Sequence, residues 1–400
     1  MLLERPLLPV PAPRQIVADF GGPYAAAAVV AFLFSCTGPV AIILAIGAQG
    51  GLAESDIASW IAAAFCLNSV ISLTFTLLYR QPLIFLWSIP GAVLVGPALG
   101  HLSFPEVIGA FLATGVLMLV LGLSGWVRRA MEAVPMPIVM AMVAGVFLRF
   151  GVGLVRAFTE ELWIALSMTA AFVLLSTLPR LGRVLPPLIG AVIVGALAIW
   201  AVGAFKPPAG ALFAFAAPNF YLPQFSWNAM VELVLPLAIM VLAVQNGQGI
   251  AVLAASGHAA PTNAITVACG VGSIITGLFG AVSTCLTGPV NAVLASSGER
   301  QRQYTAALFF CVFAFAFGVL APFFTRILLG TPPAFIATLA GLAMLRVLQS
   351  AFIASFAGRY SLGALVCFLV TVADVPLALI GAPFWGLVFG LATSRLLERK

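Results

Sequence analysis

Three side-chain amides lie close together inside a long apolar stretch of the chain. They belong to the segment Gln245-Asn-Gly-Gln-Gly249, which follows the sequence LAIMVLAV and precedes IAVLAA. Gln245 and Gln248 are three residues apart, so they would share one face of a helix. Amides buried in an apolar environment are costly unless they meet a partner, water or a ligand. The cluster therefore predicts a binding site for a small polar molecule, and a hydrogen-bonded contact between helices is the alternative.

Glycine and proline interrupt three other apolar stretches. The interruptions are Ser35-Cys-Thr-Gly-Pro39, Ser88-Ile-Pro-Gly91 and Thr287-Gly-Pro-Val-Asn291. If these stretches cross a membrane, such breaks are tolerated only beside protein or a cavity, because backbone polar groups in hydrocarbon must be paired. A helix that begins at a break directs the positive end of its dipole into the membrane, where two opposed helices would bind an anion. A proline kink without a ligand is the alternative.

The predicted substrate contacts lie at the amide cluster and at these breaks. They are Gln245, Asn246, Gln248, Asn291, Ser88, Gly91, Thr287, Gly288, Ser35 and Thr37. Amides and helix dipoles without a fixed charge favour a small monoanion such as a carboxylate. The candidate proton carriers are Asp374, the one acidic residue well inside an apolar run, and Glu232, which lies near the end of another. A structural role is the alternative for Asp374.

The composition identifies the environment of these residues. Of the 400 residues, 62% are hydrophobic and only 8% are charged, against about a quarter in a soluble protein. Soluble enzymes, nucleic-acid-binding proteins and disordered chains are excluded. The apolar runs are long and continuous, which predicts an all-α polytopic membrane protein rather than a β-barrel. The six cysteines form no CxxC pair and have no neighbouring histidine, so we expect no metal or other cofactor.

A spanning helix needs about 20 apolar residues, and this length divides the chain into about 14 segments. Their approximate bounds are 24–47, 57–79, 83–100, 104–125, 135–155, 162–178, 185–203, 229–254, 261–281, 283–297, 304–328, 333–355, 361–380 and 382–396. The predicted organisation is a cytoplasmic tail at 1–23, seven segments in 24–203, an interfacial linker at 204–228 and seven more segments in 229–396.

Similar motifs recur in the two halves. The motif at Pro137 matches that at Pro333, Leu188-Ile-Gly-Ala matches Leu379-Ile-Gly-Ala, and the third segment matches the tenth. Seven is an odd number, so the second half must be inverted relative to the first, as in many secondary transporters. Lys and Arg residues are concentrated on one side of the segments, which predicts that both termini are cytoplasmic.

The motifs resemble those of the benzoate–proton symporter (BenE) family of bacterial inner membranes. The resemblance extends from about Asp19 to Arg395 and depends most on Phe85-Leu-Trp-Ser-Ile-Pro-Gly91, the amide cluster and Thr287-Gly-Pro-Val-Asn291. That family is similar in fold to the uracil permease and nucleobase–ascorbate transporters. The resemblance implies a 7+7 inverted repeat, short strands leading into half-helices in segments 3 and 10, and a homodimer. It also implies a core of segments 1–4 and 8–11 and a gate of segments 5–7 and 12–14.

The resemblance implies import of benzoate or a related aromatic carboxylate by proton symport with alternating access. Nucleobase carriers of this fold usually have glutamates in segments 8 and 10, whereas this chain has Gln245, Gln248 and Asn291 there. A carboxylate substrate would be repelled by glutamate but accepted by amides. A nucleobase symporter and an anion channel are the alternatives. The expected partners are the carboxylate, the proton and the lipid bilayer, and neither enzyme activity nor nucleic-acid binding is expected.

Overall fold

The computed structural model describes residues 3–132, 134–178, 185–207, 213–378 and 380–398. The helices are Pro13–Asp19 (α1), Gly22–Cys36 (α2), Gly38–Gln49 (α3), Glu54–Tyr79 (α4), Ile89–Ala98 (α5), Phe104–Ser124 (α6), Val127–Glu132 (α7), Met136–Glu160 (α8), Leu162–Thr177 (α9), Pro187–Val202 (α10), Trp227–Ala255 (α11), Thr262–Gly277 (α12), Gly288–Ala295 (α13), Tyr304–Val319 (α14), Ala321–Leu329 (α15), Pro333–Phe356 (α16), Ser361–Ala373 (α17) and Ala382–Leu397 (α18). The strands are Phe85–Trp87 (β1) and Thr284–Leu286 (β2). The motif residue Leu379, the charged residues Arg180, Arg183, Arg399 and Lys400, and positions 208–212 of the predicted linker lie outside the described residues.

Seven of the described helices are long and apolar enough to cross a membrane. They are Gly22–Gln49, which combines α2 and α3, together with α4, α6, α8, α11, Arg300–Val319 and α16. Six shorter apolar helices of 10–17 residues accompany them, and two of these, α5 and α12, flank the strands in the chain. The chain is therefore a multi-pass helical membrane protein.

The two strands form a short antiparallel ribbon in the interior. Phe85 pairs with Leu286, and Trp87 pairs with Thr284. The pairing continues past both strands, because Ser88 N–H donates to Ser283 and Thr287 N–H donates to Ile84. Each strand leads directly into a short helix, α5 after β1 and α13 after β2. The structure thus has the strand and half-helix arrangement expected in the third and tenth segments.

Polar side chains from neighbouring helices satisfy the outer edges of this ribbon. Phe85 N–H donates to Ser72 Oγ of α4 at 2.8 Å, and Thr284 N–H donates to Ser273 Oγ of α12 at 2.9 Å. Asn68 Oδ1 accepts a hydrogen bond from Thr284 Oγ1 at 2.8 Å. Unpaired strand edges are not tolerated in an apolar interior. These three helix residues therefore allow a two-stranded ribbon to exist at this depth.

The helices pack in two sets. The strand-bearing set contains α2–α6 and α11–α14 with both strands, and the six-helix set contains α8, α9, α10, α16, α17 and α18. Most packing lies within a set, for example α6 on α12 and α8 on α16. The two sets meet mainly where α3 packs on α16. The site described below lies in the space between them.

An extended segment, residues 213–226, covers one end of the helices; we call it the cap segment. Its backbone N–H groups bond to the ends of three helices of the strand-bearing set. Ala216 donates to Val319 at 2.7 Å, Tyr221 to Leu278 at 2.8 Å and Gln224 to Pro105 at 2.9 Å. These N–H groups of the cap segment are thus paired with carbonyl groups at helix ends, which is typical of a chain lying at an interface.

Candidate functional site

A cavity of about 890 Å³ lies between the two helix sets. This volume is within the range of roughly 300–1,000 Å³ that is usual for small-molecule sites. The strand-bearing set contributes residues of α2, α3, β1, α5, α11 and α13, and the six-helix set contributes residues of α8, α9, α10 and α16. Exposed wall residues mark the mouth, among them Met136 and Val347. The α11 residues in the wall run from Ala243 to Gln248, so the cavity lies toward the end of α11, away from the cap segment that precedes Trp227.

Five of the described helices begin in the wall of the cavity, and three of them, α3, α5 and α13, belong to the strand-bearing set. Thr37 and Thr287 are the N-cap residues of α3 and α13, but neither side chain caps its helix. Their hydroxyls instead donate to the carbonyl oxygens of Leu33 and Ile84, respectively. Helix α5 differs, because Gly91 N–H donates to Ser88 Oγ at 3.1 Å. Within the strand-bearing set, α3 and α13 therefore present positive N-termini without a side-chain cap at the wall of the cavity.

Gln245 and Gln248 of α11 line the cavity. Gln245 lies in a π-helical stretch, Met240–Asn246, and such stretches often occur at functional sites. Gln248 is exposed to the cavity and packs against Gly288, the first residue of α13. A Cβ atom at position 288 would come within 2.5 Å of Gln248 Cδ. Glycine at this position lets the amide lie directly against an uncapped helix end.

Asn246 and Asn291 do not line the cavity. Asn246 Oδ1 accepts a hydrogen bond from Leu286 N–H of β2 at 2.8 Å. Asn291 Oδ1 accepts from Ile84 N–H at 3.0 Å, and its Nδ2 donates to Ile84 O at 3.2 Å and to Thr287 O at 2.7 Å. These amides are occupied in holding the ribbon. The structure places both amides behind the wall, where they hold the ribbon, and substrate contact by these two residues stays a prediction.

The other predicted substrate contacts divide in the same way. Ser35, Thr37 and Thr287 line the cavity together with the two glutamines. Ser88 is buried as the cap of α5, and neither Gly91 nor Gly288 lies in the wall. The structure thus brings five of the ten predicted residues into one wall, and it places the other five behind that wall. The two amides that face the cavity, those of Gln245 and Gln248, thus lie in the same wall as the uncapped N-termini of α3 and α13.

Replacing Asn291 by alanine is expected to destabilise the protein. The change removes three hydrogen bonds and leaves the buried Ile84 N–H without its partner, which costs about 1–3 kcal/mol. We expect a lower melting temperature of the detergent-solubilised protein. Asn228→Ala near the start of α11 is a partly buried control, and an unchanged melting temperature for Asn291→Ala would contradict the positioning role.

Three features of the wall have no clear signal in the sequence. The apolar part of the wall includes aromatic side chains from both sets, namely Phe34, Trp87, Phe147 and Phe172. Trp87 is buried, and its indole Nε1 has no hydrogen-bond partner. Arg346 is the one charged residue among the described residues of the wall, and its guanidinium donates to Gln349. Helix periodicity alone does not reveal which aromatic or basic residues face a cavity between two helix sets.

The two candidate proton carriers lie outside the cavity. Asp374 ends α17, is about half exposed and pairs with Arg149 at 3.9 Å. Glu232 is buried near the start of α11, and its Oε2 lies 2.9 Å from His101 Nε2. Within the described part of the chain, no group of three or more His, Cys, Asp or Glu residues is arranged to hold a metal.

Solved anion transporters share this fold. The transmembrane domain of the cyanobacterial bicarbonate transporter BicA matches 92% of this chain and 97% of its own length, with a TM-score of 0.59 and 14% identity. SLC26A9 matches 96% of this chain and 66% of its own length, with a TM-score of 0.67 and 13% identity. At such low identity these matches show the fold alone. The structural neighbours are thus of the BicA and SLC26 type and not the uracil permease that the sequence resemblance implied.

Two relatives match nearly the whole chain. Inner membrane protein YdcO of Escherichia coli K12 is 30% identical over 368 residues, which is 90% of this chain and 92% of the relative. The benzoate membrane transport protein of Acinetobacter baylyi is 26% identical over 380 residues, or 92% of this chain and 94% of the relative. The family model for benzoate membrane transport proteins matches residues 18–396. The chain is a membrane transport protein, not an enzyme, and it belongs to the BenE family.

Proposed function

We propose that the protein imports benzoate or a closely related aromatic carboxylate together with a proton, by alternating access in the bacterial inner membrane. The observation that carries this proposal is the cavity in which Gln245 and Gln248 lie beside the uncapped ends of α3 and α13. The name of the Acinetobacter relative supports the substrate, and the name of the Escherichia coli relative supports the location.

The carboxylate of the substrate would bind at the polar end of the cavity. Glutamine amide N–H groups and the first N–H groups of a helix are donors, and donors in this number suit a carboxylate. A hydrogen bond to a charged group contributes about 1.5–3 kcal/mol, and a helix N-terminus adds about 0.3–1 kcal/mol. Arg346, nearer the mouth, gives the entrance a positive charge that would attract the anion.

The ring of the substrate would bind against the apolar wall. Phe34 and Trp87 come from the strand-bearing set, whereas Phe147 comes from the six-helix set. Aromatic rings pack edge-to-face or offset against one another, so that a wall of this kind favours a flat ring over an aliphatic chain.

Alternating access would move the strand-bearing set against the six-helix set. The first corresponds to the predicted core and the second to the predicted gate, and their separate packing supports this division. The 14-span inverted repeat, the cytoplasmic termini and the homodimer are parts of the same proposal. In the predicted orientation, the mouth beside Arg346 faces the cytoplasm.

Uptake of radiolabelled benzoate into proteoliposomes tests the function. We expect saturable uptake that an acid-outside gradient stimulates and that excess unlabelled benzoate prevents. An excess of uracil or xanthine is expected to have no effect. Competition by the nucleobases would favour the nucleobase symporter, and conductance without saturation would favour a channel. Protein-free liposomes control for diffusion of benzoic acid through the lipid.

A further inference from the structure

The pair formed by Glu232 and His101 occupies a position that the substrate site does not explain. Glu232 lies 13 residues before Gln245 on α11, which is about 20 Å along a helix. Neither residue of the pair lines the cavity. Helix α11 begins directly after the cap segment, so the pair is on the closed side of the molecule, away from the mouth.

The carboxylate of Glu232 lies where the two helix sets meet. His101 follows α5 and Glu232 belongs to α11, both in the strand-bearing set. Gly381, directly before α18 of the six-helix set, packs on the Glu232 carboxylate so closely that a Cβ atom there would collide with Oε1. Any separation of the two sets on this side would therefore remove the cover from Glu232. The Glu232 carboxylate is covered when this side is closed and would meet water when it is open.

Few other charged groups face this pair. Helix α6, which packs against the Glu232 turn, contains only Glu106, a carboxylate that caps its own helix through Ser103 and also interacts electrostatically with His101. Helix α18 contains only Arg395, near its other end. Asp374 and Arg149 pair with each other. Glu232 itself is the only charged residue of α11. Among the described helices packed on Glu232, no cation other than a protonated His101 faces its carboxylate, so this charge is balanced only when His101 or Glu232 carries a proton.

We propose that His101 and Glu232 together bind one proton when the closed side of the molecule forms. Without that proton, the carboxylate and the neutral imidazole carry a net charge of −1, and burial of an unbalanced charge beside Gly381 is unfavourable. With the proton, on either residue, the pair is neutral. The side chain of His101 is 34% exposed whereas that of Glu232 is 4% exposed, so the imidazole is the group through which the proton enters from solvent.

This inference rests on the proposed function, because it gives the proton of that transport cycle a binding site. It also distinguishes Glu232 from Asp374. Asp374 is about half exposed and lies with Arg149 inside the six-helix set. Its charge is thus balanced and hydrated in the closed state, so closure gives it no reason to bind a proton.

Exchange of labelled for unlabelled benzoate, at equal pH on both sides of proteoliposomes, tests the proposal. For the wild type we expect exchange to slow at least about tenfold as the pH rises from about 5 to 8, the interval in which histidine changes charge. Glu232→Gln removes the negative charge and keeps the shape, so its exchange is expected no longer to slow as the pH rises over this interval. Asp374→Asn is the control and should keep the wild-type pH profile.

The outcomes separate this inference from the proposed function. Absence of benzoate exchange in the wild type would overturn the proposed function and the inference with it. Wild-type exchange together with a normal pH profile in Glu232→Gln would overturn the inference alone. If Glu232→Gln does not fold, as judged by size-exclusion chromatography, His101→Gln decides. That variant lacks the imidazole, and its pH profile is expected to shift by one unit or more; an unchanged profile would overturn the proposal.

Discussion

Replacing Gln248 by alanine is expected to lower benzoate uptake at least about tenfold. Gln248 is exposed to the cavity beside the uncapped start of α13, where its amide would donate to the substrate carboxylate. A lost hydrogen bond to a charged group costs about 1.5–3 kcal/mol, which corresponds to a roughly 10- to 150-fold weaker affinity. The fold is expected to persist, because no structural hydrogen bond of the ribbon uses this side chain.

The uptake rate as a function of benzoate concentration measures this effect. Gln301→Ala is the matched control, because Gln301 is an exposed glutamine in the Arg300–Arg302 turn, outside the cavity. Both variants should elute like the wild type in size-exclusion chromatography. Wild-type uptake in Gln248→Ala would remove this residue from the substrate site and would leave Gln245 as the only amide of the cluster in that role.

The sequence predicts the interrupted elements well because their causes are local. Ser88-Ile-Pro-Gly91 and Thr287-Gly-Pro combine a capping-type residue with proline in the first turn of a helix, a pattern that starts helices. The structure begins α5 and α13 at these places. The apolar lengths likewise predict a multi-pass protein, since membrane thickness fixes the length of a spanning helix.

The sequence predicts the direction of the amides less well. Gln245 and Asn246 are adjacent, yet one lines the cavity and the other bonds to β2. Their directions depend on the π-helical turns of α11 and on the position of the ribbon, which is paired across about 200 residues of sequence. Spacing within one helix contains no information about either. The roles of Ser72 and Ser273, which accept hydrogen bonds from the ribbon, could not be predicted from the sequence either, because serine is common at helix contacts in membranes.

The two sites also differ in how the sequence reveals them. The substrate site is marked by amides in an apolar run, an expensive feature that requires an explanation. The proton pair has one residue in a loop and one near the end of a segment, and such positions are ordinary for charged groups. Only the packing of Gly381 on Glu232 shows that this carboxylate is buried at a seam between helix sets. Long-range packing, and not residue type, therefore identifies Glu232 as a candidate proton-binding residue.

Gly38→Ala is expected to reduce uptake at least about tenfold while benzoate binding is retained. Gly38 begins α3 at the main contact between the two helix sets, and a Cβ atom there would collide with Ala343 Cβ of α16. Ala343 cannot move aside as a flexible side chain could, so the two sets must separate. Overpacking of this kind costs about 1–3 kcal/mol, which disfavours the close approach of the sets and therefore one state of the transport cycle.

The chain supplies a matched control for this prediction in Gly22→Ala. Gly22 also begins a helix and also precedes a proline, but a Cβ atom there would have no neighbour within 4 Å. We expect wild-type uptake in that variant. For Gly38→Ala, stabilisation of the protein by benzoate in a thermal-shift measurement should weaken but persist, because the start of α3 shifts whereas the glutamines and the start of α13 are unchanged. Normal uptake in Gly38→Ala would mean that the two sets do not need this close contact, and movement of one set against the other would then have to use a different surface.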